Sequence, residues 1–259
     1  MINNITDEER QALEQLRDEQ QQQQQHRQSR TKRLAEMKSA LRRSGEQPDE
    51  GRLRITTRGD AQELLMWALV RKVGDRAQWP DEYDQIAAWL SDNQGKGLML
   101  IGDCGRGKSL ITTEILPEMF AAGLIIDAQT RSKMADPFVC TARELQTKMK
   151  EALKHRVIII DDVGTESVVN NFGTRTDYFS ELVLEIDRPY RAKDGTMTRR
   201  MLICSTNLTK WELFGGDRQD YPKPGQITHY EGRYPDLRVK DRLRSMTQRI
   251  WTNGDSMRG

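Results

Sequence analysis

Gly102-Asp103-Cys104-Gly105-Arg106-Gly107-Lys108-Ser109 decides the reading of this chain. The octapeptide fits G-x-x-x-x-G-K-[ST] at every fixed position. It follows an apolar run, Leu98-Met99-Leu100-Ile101, and precedes a helical pattern from Leu110 to Phe120. Strand, glycine loop and helix in that order are the context the motif requires. The glycines let backbone N–H groups converge on phosphate oxygens, and the helix N-terminus adds its partial positive charge.

Lys108 is then expected to reach the β- and γ-phosphates of ATP, and Ser109 to offer its hydroxyl to Mg²⁺. The nucleotide would lie along Gly102, Asp103, Cys104, Gly105, Arg106, Gly107, Lys108, Ser109 and Leu110. Cys104 holds a variable position and is assigned no chemistry of its own. A second run, Val157-Ile158-Ile159-Ile160-Asp161-Asp162, is an apolar strand ending in two carboxylates. In a parallel sheet the strand C-termini share one rim, which brings Asp161 to the phosphate loop. Asp161 would complete the magnesium shell and Asp162 would polarise the attacking water. A third run, Met201-Leu202-Ile203-Cys204-Ser205-Thr206-Asn207, ends in Asn207, a candidate hydrogen-bond donor to the γ-phosphate or the water.

Around these three runs the pattern alternates β-rich and helical stretches. The expected strands are Gly97 to Ile101, Pro137 to Cys140, Arg156 to Ile160, Met201 to Ser205 and Thr247 to Thr252. Apolar strands interleaved with helices imply an α/β fold, a parallel sheet covered on both faces. Two amphipathic helices, Gln62 to Lys72 and Asp81 to Leu90, precede the first strand, with Trp67 and Trp89 expected in the core. Ahead of them, Thr6-Asp7-Glu8-Glu9 reads as a capping box opening a helix to about Arg43. Its sparse apolar residues Leu13, Leu16, Leu34, Met37 and Leu41 share one heptad phase, but Gln20, Gln23, Arg27 and Arg30 interrupt the seam. Two readings stand: a solvated helix, or two short docking stripes for a partner. The expected organisation is a helical N-terminal extension (1–50), a helical linker segment (51–92) and a nucleotide-binding domain (93–259).

Composition narrows the class. Of 259 residues, 36% are hydrophobic and 31% charged, and 41 basic against 39 acidic residues leave a net charge of only +2. No apolar run approaches the roughly 20 residues of a membrane span, and no secretory signal opens the sequence. Cys104, Cys140 and Cys204 are too widely spaced for a zinc site or a disulfide framework. A soluble protein of a reducing compartment is expected, without membrane contact.

The segments Ile160-Asp161-Asp162-Val163-Gly164-Thr165-Glu166, Ser205-Thr206-Asn207-Leu208-Thr209, Asp241-Arg242-Leu243-Arg244 and Gly254-Asp255-Ser256-Met257-Arg258 resemble AAA+ ATPases of the DnaC type. These are bacterial and phage loaders of the replicative helicase, related to IstB-type transposition ATPases. The resemblance covers roughly residues 84–259. It implies an AAA+ P-loop core, ATP hydrolysis with Mg²⁺ and a homo-oligomer on ATP binding. As partners it implies a replicative hexameric helicase and single-stranded DNA. By position, Asn207 matches sensor 1, Arg242 the arginine finger, Arg238 a second arginine four residues earlier, and Arg258 the sensor 2 arginine. A guanidinium delivered in trans would tie hydrolysis to assembly. Two features depart from the pattern. Thr141 to His155 has room for one helix and no DNA-contacting insertion, and Arg188 to Arg200 forms a basic connection before the strand Met201 to Ser205. A transposition ATPase that coats duplex DNA and recruits a transposase is the alternative. A free-standing nucleotide-dependent regulator is the third reading.

Overall fold

The computed structural model describes residues 21, 29, 32–33, 36, 51–166, 169–171, 174–191, 195, 197–217, 229–230 and 232–252. The chain divides into two compact units, Met1–Asp49 and Glu50–Gly259. In the first unit Gln21, Ser29, Lys32, Arg33 and Glu36 are helical and exposed. The apolar stripe expected at Leu13, Leu16, Leu34, Met37 and Leu41 lies outside the described residues.

The second unit runs β1 (Ile55–Thr57), α1 (Ala61–Val73), α2 (Glu82–Ser91) and β2 (Gly97–Gly102). A π-helical stretch, Leu110–Ile115, leads into α3 (Leu116–Ala121), then β3 (Ile125–Asp127), β4 (Phe138–Thr141), α4 (Leu145–Ala152) and β5 (Val157–Asp161). There follow β6 (Val169–Asn171), β7 (Thr174–Thr176), α5 (Tyr178–Ile186), β8 (Tyr190–Arg191), β9 (Met197–Thr198) and β10 (Met201–Thr206). The last elements are α6 (Lys210–Phe214), β11 (Gly216–Asp217), β12 (His229–Tyr230), α7 (Leu237–Met246) and β13 (Thr247–Thr252).

All five expected strands join one parallel sheet, in the order β13-β2-β10-β5-β4. Each central strand is apolar on both faces because helices cover both. Leu98, Leu100, Ile159, Ile203 and Ile250 point into one core, with α1, α2 and the helix after the loop. Met99, Ile101, Ile158, Ile160 and Cys204 point into the other, with α5 and α7. This is the α/β architecture of a P-loop NTPase core. The helices of residues 51–92 contribute Leu65, Leu69, Ile86, Trp89 and Leu90 to the first of these cores.

Helix ends follow local chemistry. Asp60 accepts from Glu63 N at 2.9 Å to cap α1, and Arg71 and Lys72 in its last turn oppose the macrodipole. Asp236 caps α7 in the same way by accepting from Arg238 N at 2.8 Å. The expectation for Trp67 is corrected, since its side chain is 47% exposed whereas Trp89 is fully buried. The buried stripe of α1 is Ala61, Leu65, Ala68 and Leu69. Trp67 stands two residues, about 200° of helical turn, from Leu65, and Arg71 lies over its ring at 5.2 Å. Among the described residues no helix is long and apolar enough to cross a membrane.

Candidate nucleotide site

Strands β2, β5 and β10 end at the same rim, and β10 lies between the other two. Residues from the end of β10 therefore stand between the phosphate loop and the paired carboxylates. Gly102, Gly105 and Gly107 take φ of 149°, 84° and 76°, a region L side chains rarely adopt. At Gly102 a Cβ would also lie 2.1 Å from Thr252 O, so β13 can press against the start of the loop only if that residue is glycine.

Lys108 is 5% exposed. Its ammonium donates to Gly102 O at 2.9 Å and Asp103 O at 2.6 Å. Desolvation pushes its pKa down, opposed by the nearby charges of Cys104, Asp162, Asp103 and Asp161. A desolvated ammonium folded onto loop carbonyls, at the start of a helix, suits a phosphate ligand. Ser109 and Leu110 are half-buried on the following turn, and Asp103 and Cys104 are exposed. The Arg106 side chain is directed instead to Glu82 of α2, with Nη2 2.7 Å from Oε1.

Asp161 is 5% exposed and heavily bonded. Its Oδ1 accepts from Ser205 Oγ. It also lies 2.8 Å from Thr112 Oγ1, which stands 3.0 Å from Lys108 O and can donate to one of the two at a time. The same Ser205 hydroxyl accepts from Asp162 N at 3.2 Å. Asp162 holds φ 55°, sparsely populated for a residue with a side chain. Thr165 stabilises that turn, its N and Oγ1 donating to Asp162 O at 3.2 and 2.7 Å. Asn207 Nδ2 reaches Asp162 Oδ1 at 3.3 Å. Lys108, Asp161, Asp162 and Asn207 thus stand together at one rim of the sheet.

Arg238 and Arg242 of α7 form no hydrogen bond or ion pair with their own phosphate loop among the described residues. Arg242 donates to Leu184 O at 3.0 Å and pairs with Asp187 at 3.4 Å. Arg238 is 74% exposed and pairs with Asp236 at 2.7 Å. Arg258 lies outside the described residues.

Several contributors were not singled out from sequence. Thr112 is one turn beyond Lys108 on the same helix face, a spacing that could have flagged it. Ser205 was read as the polar end of a strand. Glu166 is buried, accepting from Gly164 N at 2.7 Å and from the Tyr234 hydroxyl and pairing with Arg233 at 3.3 Å. That anchor fixes the loop that follows Asp162; the motif containing Glu166 was recognised, but its partners Arg233 and Tyr234 are 67 and 68 residues away.

Among the described residues no cluster of three or more His, Cys, Asp or Glu could hold a metal ion by itself. One carboxylate and one hydroxyl, Asp161 and Ser109, suit Mg²⁺, which keeps few protein ligands and takes the rest from phosphates and water.

No protein-family model matches this chain, and no curated protein matches it. One solved structure, described as the crystal structure of the DnaI, is similar over 63% of this chain and 73% of its own, at 21% identity and a TM-score of 0.35. The fold described above rests on the strand order and the phosphate loop, independently of that likeness.

Proposed function

We propose that this chain is an AAA+ ATPase of the DnaC type, binding ATP and Mg²⁺ and loading a replicative hexameric helicase onto single-stranded DNA in the bacterial cytoplasm. The observation that carries the ATPase reading is the meeting of Lys108, Asp161, Asp162 and Asn207 at one rim of the sheet. The loader role rests on the sequence resemblance, together with the candidate docking stripes that the sequence places at Leu13, Leu16, Leu34, Met37 and Leu41.

In this reading the loop amides and Lys108 bind the β- and γ-phosphates, with Lys108 exchanging its carbonyl partners for phosphate oxygens. Ser109 and Asp161 would hold Mg²⁺, which would supply charge neutralisation on the phosphates when bound. Asp162 accepts the proton of the attacking water, and Asn207 orients that carboxylate and the water beside it. Arg242 and Arg238 act from a neighbouring subunit, so turnover requires the homo-oligomer.

The test is association of the full chain, and of a version starting at Leu53, with a purified hexameric helicase. Binding by the full chain and loss in the short version support the loader, whose grip would then include Leu13 and Leu16. Absence of helicase binding, with ATP-dependent coating of duplex DNA, would hand the case to the transposition ATPase.

A further inference from the structure

Strand β13 forms one edge of the sheet and borders a pocket of about 470 Å³ that shares no residue with the phosphate loop. Its walls carry Lys96, Lys210, Arg244 and Arg249 and no acidic residue. Elsewhere on the surface Arg54, Arg71 and Lys72 each meet a carboxylate, at 3.2, 3.0 and 2.7 Å. The four cations of the pocket form no ion pair or side-chain hydrogen bond among the described residues. Like charges around one concavity focus a positive potential that is relieved only by an anion.

An aromatic completes the pocket. Trp251 is 40% exposed and follows Arg249 by two residues on β13. Period-two alternation therefore turns both side chains to the same face. Cations that follow a phosphate backbone beside an exposed flat ring are the chemistry of single-stranded nucleic acid recognition, in which unpaired bases stack on the aromatic. A duplex would present no base face to the indole. An acidic peptide would satisfy the cations but has no planar partner for Trp251.

We infer that this pocket binds single-stranded nucleic acid, its phosphates on Lys96, Lys210, Arg244 and Arg249 and a base stacked on Trp251. The assignment rests on the DNA-handling role proposed above and gives that role a position on the chain. Trp251 pairs in register with Ile101 and Thr252 with Gly102, so the bound strand would lie one β-strand from the phosphate loop.

The experiment is fluorescence anisotropy of a labelled oligothymidylate with the full chain, across a salt series. Arg244→Glu/Arg249→Glu should weaken binding by about tenfold or more, and each cation replaced by Ala should flatten the slope of log K against log salt by about 0.7. Trp251→Ala should weaken oligothymidylate by about tenfold yet leave inorganic polyphosphate binding as in the wild type. Lys154→Glu, the same kind of charge reversal in the turn after α4, should bind as the wild type does. Circular dichroism checks folding; if the double variant does not fold, Lys210→Glu at the exposed start of α6 carries the test.

Unchanged affinity in a folded charge-reversal variant overturns the proposal. So does absence of oligothymidylate binding by the wild type, or polyglutamate binding with the same dependence on Trp251, which would make the pocket an acidic-peptide site. Helicase association and ATP turnover, measured on the same variants, separate the failures. If both persist while oligothymidylate binding ignores the pocket, only the pocket assignment falls.

Discussion

The side-chain amide of Asn207 donates to the Asp162 carboxylate across 3.3 Å, so the ends of β10 and β5 converge on one acid. Asp162 is already held at φ 55° by Thr165, and the amide restrains the carboxylate that the backbone has presented. Asp162→Asn should keep ATP affinity and lose turnover, because only the proton acceptor changes. Asn207→Ala should lower kcat roughly a hundredfold, the lower range for a general-base contribution, with little change in ATP affinity. Lys108→Ala should instead lose ATP binding. Nucleotide titration alongside single-turnover hydrolysis separates the three, and wild-type turnover in Asp162→Asn would sink the base assignment.

Asp161 is a buried carboxylate, and Ser205 and Thr112 are its hydroxyl partners. Removing a hydrogen bond to a buried charged group costs about 1.5 to 3 kcal/mol. Ser205→Ala should show a loss of that order in urea denaturation, and Thr112→Val a smaller one, since Thr112 shares its proton with Lys108 O. Ser205→Ala should also raise the Mg²⁺ concentration needed for half-maximal ATPase, because Asp161 loses the group that orients it. An unchanged unfolding midpoint together with unchanged Mg²⁺ dependence would rule this role out.

Arg242 is tied to Leu184 O and to Asp187, whereas Arg238 stands in solvent beside Asp236. A trans role for Arg242 therefore requires it to exchange Asp187 for a neighbour's phosphate. Arg242→Ala should leave ATP affinity of the isolated subunit near normal and cut hydrolysis in the assembly. Mixing it with Asp162→Asn should restore part of the activity, since each parent supplies what the other lacks across one interface. Arg242→Lys should not substitute, because an ammonium lacks the planar fork. Co-assembly of the two variants without any recovered turnover would exclude Arg242 as the trans residue.

The candidate site was legible where its signal is local. Gly102 to Ser109 signals its loop by residue type, and the β-branched run Val157 to Ile160 reads as a short strand buried on both faces. What remained hidden depends on pairing between distant residues. Nothing in the sequence of β10 says that it lies between β2 and β5, so the bond from Ser205 to Asp161 was not foreseeable. The three-residue ribbon of β1 with β3 joins Ile55 to Asp127, too short on either side to leave a periodicity. Trp67 was misjudged because a large aromatic on an amphipathic helix reads as core, while the helix buries smaller neighbours on its other side. Arg106 was counted with the nucleotide, and its carboxylate partner 24 residues earlier carries no motif.

That partner gives the last prediction. Arg106 and Glu82 form an ion pair at 2.7 Å, with side chains 12% and 6% exposed, which ties a variable position of the phosphate loop to the first turn of α2. Burial and the Glu82 charge also push the neighbouring Tyr83 hydroxyl up to about 12, a mark of how little water reaches this corner. Breaking a buried pair from one side costs about 3 to 5 kcal/mol, much of it from the charge left behind, whereas replacing both partners is often nearly neutral. Glu82→Gln should therefore destabilise strongly, and Glu82→Gln/Arg106→Gln should recover most of the loss. If the pair also sets the loop's shape, the double variant should still bind ATP more weakly than the wild type despite its restored stability. Urea denaturation read beside nucleotide titration distinguishes the two roles. Full recovery of ATP affinity in the double variant would make the pair purely structural, and wild-type stability in Glu82→Gln would remove it from both roles.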